Sequence, residues 1–351
     1  MRLGELSGYE LICFEQEDSL LGLAEKVQRA DAVVHLAGVN RPEDVCEFSA
    51  GNIDLTIRLC NEIAAAKRQI PLILSSSIQA ELANPYGVSK QGAERAVTDL
   101  AHKTSNPVVI YRLPNVFGKW CRPNYNSVVA TFCHNIANDL PIQINDPDVQ
   151  LRLVYIDDVV TGFIDTLNSV PIGLTQRKLK PEYNITLGAL AKQIGAFKNC
   201  RASLVLERVG AGLVRALYAT YMSYLSPEKF TYDLPQYADE RGVFVEMLKT
   251  TDSGQFSFFT ALPGITRGGH YHHTKTEKFL VIKGLARFNF RQLLTGERHE
   301  LFTSGENPKV VETIPGWAHD ITNVGDQELV VMLWANEIFD RARPDTIIAK
   351  A

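Results

Sequence analysis

The sequence predicts two folds in succession, a doubly wound α/β sheet and then an all-β barrel or sandwich. Three observations carry that reading. Up to about Tyr224, short apolar runs alternate with longer stretches of helical period, the pattern of parallel strands joined by crossover helices. Beyond position 239, short runs rich in β-branched and aromatic residues follow one another between turns, with no helix-period segment among them, as in small all-β domains. The chain has 351 residues, more than one hydrophobic core usually organises.

In the first part, Tyr9–Phe14 reads as a strand, Leu20–Arg29 as a helix and Ala32–Leu36 as a buried strand. Asn52–Lys67 reads as a helix, Pro71–Ser75 as a strand, Pro85–His102 as a helix and Val108–Leu113 as a strand. The ligand site of such a sheet lies at the carboxyl ends of its strands. The stretch SPEKFTYDLPQYADERG is rich in Pro, Asp and Tyr and lacks a period, so it reads as a linker. Domains are accordingly expected at 1–225 and 239–351, with 226–238 between them. The second part offers strands at Val243–Leu248, Gln255–Ala261, Lys278–Ile282, Ala286–Arg291 and Leu329–Trp334, with turns at Asp252–Gly254, Pro263–Gly264 and Gly325–Asp326.

Composition narrows the function. Apolar residues make up 45% and charged residues 22%, fractions of a globular protein rather than a disordered or fibrous one. Thirty-six basic against forty acidic residues give a net charge of -4, with no electrostatic footprint for nucleic acid or an anionic membrane. The six cysteines (Cys13, Cys46, Cys60, Cys121, Cys133, Cys200) form no CxxC pair and stop at position 200. That argues against a disulfide framework and fits a reducing compartment. The opening MRLGELSGYE lacks the apolar stretch of a signal peptide, and no run is long enough to span a bilayer. A cytoplasmic protein is expected.

Two constellations carry chemistry. In Tyr86-Gly-Val-Ser-Lys90 a phenol and an ammonium lie four residues apart on one helix face. Reducing a ketone requires a proton at oxygen while hydride arrives at carbon, and a cation beside the phenol stabilises its phenolate. The preceding strand ends in Ser75-Ser76-Ser77, hydroxyls placed to bond a carbonyl. YxxxK alone recurs by chance; its position after a strand-end serine run raises its weight. The second constellation is Gly264-x5-His270-x-His272-x4-Glu277-x6-Gly284, followed by Pro315-Gly-Trp-Ala-His319-x3-Asn323. His270 and His272, two apart on a strand, are expected to project to one side. With Glu277 and His319 they make three imidazoles and a carboxylate, a donor set for a divalent transition metal: zinc, with iron, manganese and nickel also suited. His273, Lys275 and Asp320 lie beside these ligands, with a solvated turn as the plain reading for the last two. His299 sits in a charged, solvated turn on the same reading.

The run His35-Leu-Ala-Gly38, the serine triplet, YGVSK, Arg112-Leu-Pro-Asn-Val-Phe-Gly118 and Tyr155-Ile-Asp-Asp158 resembles the extended short-chain dehydrogenase/reductases that act on nucleotide sugars. That resemblance implies a Rossmann-like domain in which Ser77 orients the carbonyl, Tyr86 is the acid, and Lys90 tunes it and holds the nicotinamide ribose. Ser76 remains an alternative to Ser77, because a triplet leaves the register open. Leu36, Ala37, Ser75, Tyr86, Lys90 and Pro114 fall where that family contacts NADPH. Asn115 falls near the sugar pocket, and Asn124, Tyr125 and Asn126 are further candidates for the nucleotide sugar. The family opens with a strand and a glycine-rich turn that cradles the pyrophosphate, and no GxxGxxG occurs near the start of this sequence. The Rossmann-like domain therefore reads as N-terminally incomplete: either the start of the chain is assigned too late or the phosphate cradle has been lost, and for the chain as it stands weak or absent cofactor binding is expected.

The histidine motifs resemble those of the cupin superfamily, although Pro315 abuts Gly316 where P-x-G is usual. They imply a cupin barrel with His270, His272, Glu277 and His319 as ligands. A metal on a keto oxygen stabilises the enolate formed when a neighbouring proton leaves, which permits epimerisation; reduction then fixes the configuration. Both halves together resemble the bifunctional capsular-polysaccharide enzymes of the CapF/WbjC type. The resemblance is carried by His35-Leu-Ala-Gly-Val-Asn-Arg-Pro42, Leu74-Ser-Ser-Ser-Ile-Gln79, Phe117-Gly-Lys-Trp-Cys121, Pro123-Asn-Tyr-Asn-Ser127, Thr220-Tyr-Met-Ser-Tyr224, His272-His-Thr-Lys275 and Glu277-Lys-Phe-Leu280. It implies a homodimer whose zinc cupin epimerises carbon 3 of a UDP-2-acetamido-2,6-dideoxy-4-hexulose. NADPH-dependent reduction of carbon 4 follows, on the route to UDP-N-acetyl-L-fucosamine. Two alternatives stay open: a cupin-only epimerase beside an inactive reductase half, and a cupin that only binds sugar or mediates dimerisation.

Overall fold

The computed structural model describes residues 2–234, 236–239, 242–245, 248–250, 254–337 and 342–351. Contacts divide the chain into two units, Met1–Val116 with Arg152–Asn184, and Phe117–Leu151 with Ile185–Ala351.

The first unit is built on four parallel strands in the order Val33–His35, Leu72–Ser77, Val108–Leu113, Leu174–Arg177. Successive side chains of a strand point to opposite faces, so each apolar run supplies two cores. Leu72, Leu74, Val108 and Ile110 bury against Leu23 and Val27 of Leu20–Arg29, Leu59 and Ile63 of Leu55–Ala65, and Val97 and Leu100 of Pro85–Thr104. Ile73, Val109, Tyr111 and Leu113 bury on the other face against Val159 and Phe163 of Ile156–Asn168. Helices on both faces of a parallel sheet are the expected doubly wound arrangement. The Tyr111 hydroxyl donates to Gly162 O at 2.9 Å, which satisfies the one polar atom of that side chain.

Two local expectations fail. Residues 9–14 form no strand. Backbone in extended conformation needs a ladder partner, and among the described residues Val33–His35 pairs with Leu72–Leu74 alone, so nothing draws 9–14 into the sheet. The helix expected from Asn52 begins earlier, as a π-helical segment Ser49–Asp54 that leads into Leu55–Ala65.

The second unit contains the helices Val128–Ala137, Leu187–Ser203 and Gly212–Met222 and two five-stranded antiparallel sheets. One sheet runs Gln255–Ala261, Leu329–Ala335, Glu277–Lys283, Lys309–Glu312, Thr231–Asp233; the other runs Arg298–Ser304, Leu285–Gln292, Trp317–Asn323, Thr266–Tyr271, Ile347–Ile348. Phe279 of the first sheet meets Phe288 of the second at 5.7 Å between ring centroids, so the apolar faces pack on each other. Within the stretch 226–238 expected as a linker, Thr231–Asp233 is a ladder strand paired with Lys309–Val311, and Gln236–Asp239 pairs with Gly242–Val245; Pro235 lies outside the described residues. Of the strand expected at Val243–Leu248, Glu246 and Met247 lie outside the described residues, as do Asp252 and Ser253 of the expected turn. His299, expected in a solvated turn, lies on strand Arg298–Ser304 with its ring edge-on to Phe230 at 6.0 Å.

A buried ion cluster ties the helices to the sheet. Lys278 and Glu312 face each other across the ladder, both almost fully buried. The Lys278 ammonium and the Arg201 guanidinium each donate to the Glu312 carboxylate, and Arg201 also donates to Lys229 O. Burial works to raise the Glu312 carboxyl, but the two cations outweigh it and hold the group below its ordinary range. Glu312→Ala leaves two cations buried without their counter-charge, and breaking a buried pair in this way costs about 3–5 kcal/mol. Denaturant unfolding of the variant should show that loss; a change below about 1 kcal/mol, the size of a surface pair, would contradict it.

Candidate active sites

The first site stands at the carboxyl end of Leu72–Ser77. Alternation along the strand sends Ser76 one way, where its hydroxyl donates to Glu94 Oε1 at 2.5 Å, and Ser77 the other, on the side of the Tyr86 phenol, where its hydroxyl accepts from Gln79 N at 3.2 Å. Tyr86 occupies the first turn of Pro85–Thr104, which is well specified. Asn84 caps it by accepting from Gly87 N at 2.7 Å, and Pro85 needs no amide partner there. Gly87 is required by close approach, since a Cβ would lie 2.3 Å from Gln79 O and 2.4 Å from Leu82 O. Burial raises the phenol above its ordinary value, with the neighbouring Ser77 hydroxyl opposing it. Lys90, one turn on, is buried and donates to Ser75 O at 2.8 Å; burial pulls its ammonium down to about 8 against the pull of Glu94.

Around this site Asn52 and Glu94 carried no sequence signal, and His35 and Arg112 stood in motif runs that gave no hint of their partners. The Asn52 side chain donates to Ser89 Oγ at 2.8 Å and to Val39 O at 2.9 Å, and accepts from Val39 N at 2.8 Å. It thus fixes the loop after Val33–His35 to the helix carrying Tyr86. Glu94 receives Arg112 in a two-pronged bond, Nε at 2.9 Å and Nη2 at 2.6 Å, which locks that helix to strand Val108–Leu113. His35 is buried beside Thr56 Oγ1 at 2.9 Å, and desolvation, with Lys90 adding to it, lowers it to about 4.

Leu36 is 64% exposed at the carboxyl end of Val33–His35, with Ala37 exposed beside it. Ser75 is half-buried, Pro114 is buried, and Asn115 is exposed with its amide on Arg152 O at 3.1 Å. Asn124, Tyr125 and Asn126 are exposed in the second unit, where Asn124 has φ 54° and Arg122 lies over the Tyr125 ring.

The second site lies between the two antiparallel sheets. His270 and His319 are partners across the ladder, with ring centroids 4.7 Å apart. The strand that carries His270 reaches this register through a bulge at Gly268 and Gly269, both at positive φ. His272, expected on the same strand, sits one residue beyond its end at Tyr271. Glu277 opens a strand of the opposite sheet, its Oε2 at 3.1 Å from His272 Nε2 and 3.4 Å from His319 Nε2. One donor atom from each of the four lies within 4.8 Å of the others. Burial, with His319 and His272 adding to it, lowers His270 to about 4. Burial would raise Glu277, but the His272 and His319 imidazoles beside it hold it well below its ordinary value. Neither ring nitrogen of buried His319 has a hydrogen-bond partner among the described residues. A buried imidazole without a partner, facing a carboxylate and two more imidazoles, fits a metal ligand. Lys275, expected in a solvated turn, is buried with Nζ at 3.2 Å from Glu277 Oε1. His273 is buried as well, its ring 5.3 Å from that of Tyr271. Asp320 is half-buried and accepts from Asn289 Nδ2 at 3.0 Å.

Residues 11–185 match the NAD dependent epimerase/dehydratase family, and residues 237–347 match the polysaccharide biosynthesis C-terminal domain. The parallel sheet and the antiparallel half thus define an epimerase/dehydratase domain joined to a polysaccharide-biosynthesis domain. Over 344 residues the chain is 56% identical to UDP-2-acetamido-2,6-beta-L-arabino-hexul-4-ose reductase of Pseudomonas aeruginosa, covering 98% of this chain and 92% of that protein. The crystal structure of the capsular polysaccharide assembling protein CapF from Staphylococcus aureus is similar with a TM-score of 0.63 and 40% identity, over 95% of this chain and 91% of that one. The chain belongs to the CapF-type family that includes these two proteins. A further similarity, 23% identity over 122 residues, is to spore coat polysaccharide biosynthesis protein SpsL of Bacillus subtilis, over 32% of this chain and 81% of that protein. Among the described residues, no helix is long and apolar enough to cross a membrane.

Proposed function

We propose that the chain is a bifunctional nucleotide-sugar enzyme of polysaccharide biosynthesis. Its antiparallel half, a zinc cupin, epimerises carbon 3 of a UDP-2-acetamido-2,6-dideoxy-4-hexulose, and its α/β half reduces the 4-keto group with NADPH, toward UDP-N-acetyl-L-fucosamine. It works as a cytoplasmic homodimer. The observation that carries the reading is the pairing on one chain of a strand-end serine run and Tyr86 beside buried Lys90, which donates to Ser75 O, with a buried cluster of three histidines and a carboxylate.

NADPH, when bound, supplies hydride to the keto carbon. Leu36, Ala37, Ser75, Lys90 and Pro114, at or near strand ends, fit the nicotinamide end of such a cofactor. The Tyr86 hydroxyl gives its proton to the keto oxygen as the carbon–oxygen double bond becomes single, and Ser77 orients that oxygen. Asn115 is a candidate contact for the sugar, and Asn124, Tyr125 and Asn126 are separate candidates for binding the UDP-sugar. In the other half, His270, His272, Glu277 and His319 would hold a divalent metal, and the chemistry it would supply is Lewis-acid polarisation of the keto oxygen, which makes the proton on carbon 3 more acidic. The chain's own contribution there is a donor set presented by two opposed sheets, with the Phe279 and Phe290 rings packed beside His319.

Proton NMR of the UDP-4-keto sugar in deuterated water, without NADPH, tests the epimerase half. The carbon 3 signal should fade with the protein present and persist when a chelator is added. Persistence with zinc bound would instead make the antiparallel half a binding or dimerisation module.

A further inference from the structure

The segment 345–349 lies against the metal-site strand at every residue from Gly269 to Lys275. Ile348 and Ile347 pair with His270 and Tyr271, and Ala349 N donates to Gly269 O at 3.0 Å. Asp345 then turns inward. Its Oδ1 accepts from His273 N at 2.9 Å, and its Oδ2 accepts from Thr274 N at 2.7 Å, Lys275 N at 2.8 Å and Thr274 Oγ1 at 3.0 Å. Its main-chain carbonyl accepts from His272 Nδ1.

These bonds act on the one histidine of the cluster that lies beyond the end of its strand, where no ladder fixes the backbone. A histidine binds a metal through one nitrogen when the other is protonated and held by an acceptor, which sets both tautomer and ring orientation. With Nδ1 donating to Asp345 O, the proton is on the far side of the ring, and Nε2 is turned to Glu277 Oε2 at 3.1 Å. The carboxylate meanwhile gathers three successive amides of the turn between His272 and Glu277 and fixes its course.

We infer that Asp345 is a positioning residue for the metal, and that the segment 345–349 is a strap which presents His272 Nε2 to a divalent transition metal. The inference rests on the proposed metal reading of the histidine–glutamate cluster. Nothing but geometry separates Asp345 from an ordinary turn-capping acid, so the test must separate metal affinity from folding.

Full-length chain and its Asp345→Ala and Asp345→Asn variants are freed of metal and titrated with zinc against a chromophoric chelator. Asp345→Ala keeps the main-chain carbonyl that accepts from His272 Nδ1 but removes the carboxylate that anchors it to the turn; displacing the partner of a metal-bound histidine weakens affinity about 10–100-fold, and the variant should fall in that range. Asp345→Asn, which keeps one acceptor oxygen, should fall between it and the unsubstituted chain. Thermal unfolding is then measured with zinc and with chelator. A residue that only supports the turn lowers both transitions alike. A positioning residue shrinks the stabilisation that zinc adds, because that increment follows the dissociation constant. Zinc affinity of both variants within about twofold of the unsubstituted chain, outside the range for such a partner, would overturn the inference alone. If the unsubstituted chain takes up no zinc, the metal reading falls and this inference with it.

Discussion

Tyr86→Phe will lower reduction of the 4-keto sugar by about 10²–10⁴-fold, the usual contribution of a positioned proton donor, and will leave the fold and the carbon 3 exchange intact. The variant removes one oxygen from a ring that packs against Phe48 at 5.8 Å, and the aromatic contact survives. What disappears is the phenolic hydroxyl, the proton donor of the proposed reduction, on the side of the strand end that carries the Ser77 hydroxyl. The serine triplet supplies the control. Ser77→Ala should follow Tyr86→Phe in direction. Ser76→Ala should cost stability, because it leaves buried Glu94 short of a donor, and should leave turnover near that of the unsubstituted chain. Consumption of NADPH with the keto sugar, followed by absorbance, reads all three. A Tyr86→Phe enzyme retaining more than about a tenth of the activity, too little loss for a proton donor, would remove Tyr86 from the acid's role. Equal loss in Ser76→Ala and Ser77→Ala would remove the alternation argument.

The parts of this molecule legible in its sequence were those where one local pattern had one structural meaning. Val108–Leu113 and Leu20–Arg29 appear with the expected bounds, the first because its six residues fill two cores at once, the second because its apolar positions recur at helical spacing. Gln255–Ala261 is likewise where its β-rich run places it. Residues 9–14 have the same local pattern and form no strand, because pairing is not a property of the segment. Arg298–Ser304 and Trp317–Asn323 went unread for the opposite reason: their charges and histidines mask an extended backbone held by neighbours on both sides or at an edge. The four-residue donor set was visible because metal chemistry restricts residue types and spacing together. Its surroundings were not. Lys275 looked like a turn residue until the fold buried it against Glu277, and Asp345 stands some seventy positions from the amides it gathers. Asn52 and the Glu94–Arg112 pair were equally silent, since their partners come from other elements.

Glu277→Gln will abolish the chelator-sensitive exchange at carbon 3 and leave reduction of an already epimerised 4-keto sugar unchanged. Glu277 brings the only carboxylate of the cluster, and brings it from the sheet opposite His270 and His319, so it closes the site from the far side. The amide keeps the volume and loses the charge. Metal affinity should fall by more than the roughly 100-fold that follows from losing an outer hydrogen-bond partner, because here a ligand itself is lost. The same change removes the carboxylate 3.2 Å from the buried Lys275 ammonium, so some stability is lost as well. Lys275→Met in the same chain separates the two effects: it should restore stability to the double variant and restore no zinc. Metal content by mass spectrometry and deuterium incorporation by NMR are the readouts. A Glu277→Gln chain that holds stoichiometric zinc and still exchanges the carbon 3 proton would mean that three imidazoles suffice, and the carboxylate would then serve Lys275 instead of the metal. Loss of exchange together with loss of reduction on the epimerised sugar would mean that the two chemistries are not separable, contrary to a reading in which Ser77, Tyr86 and Lys90 reduce what the histidine cluster has already inverted.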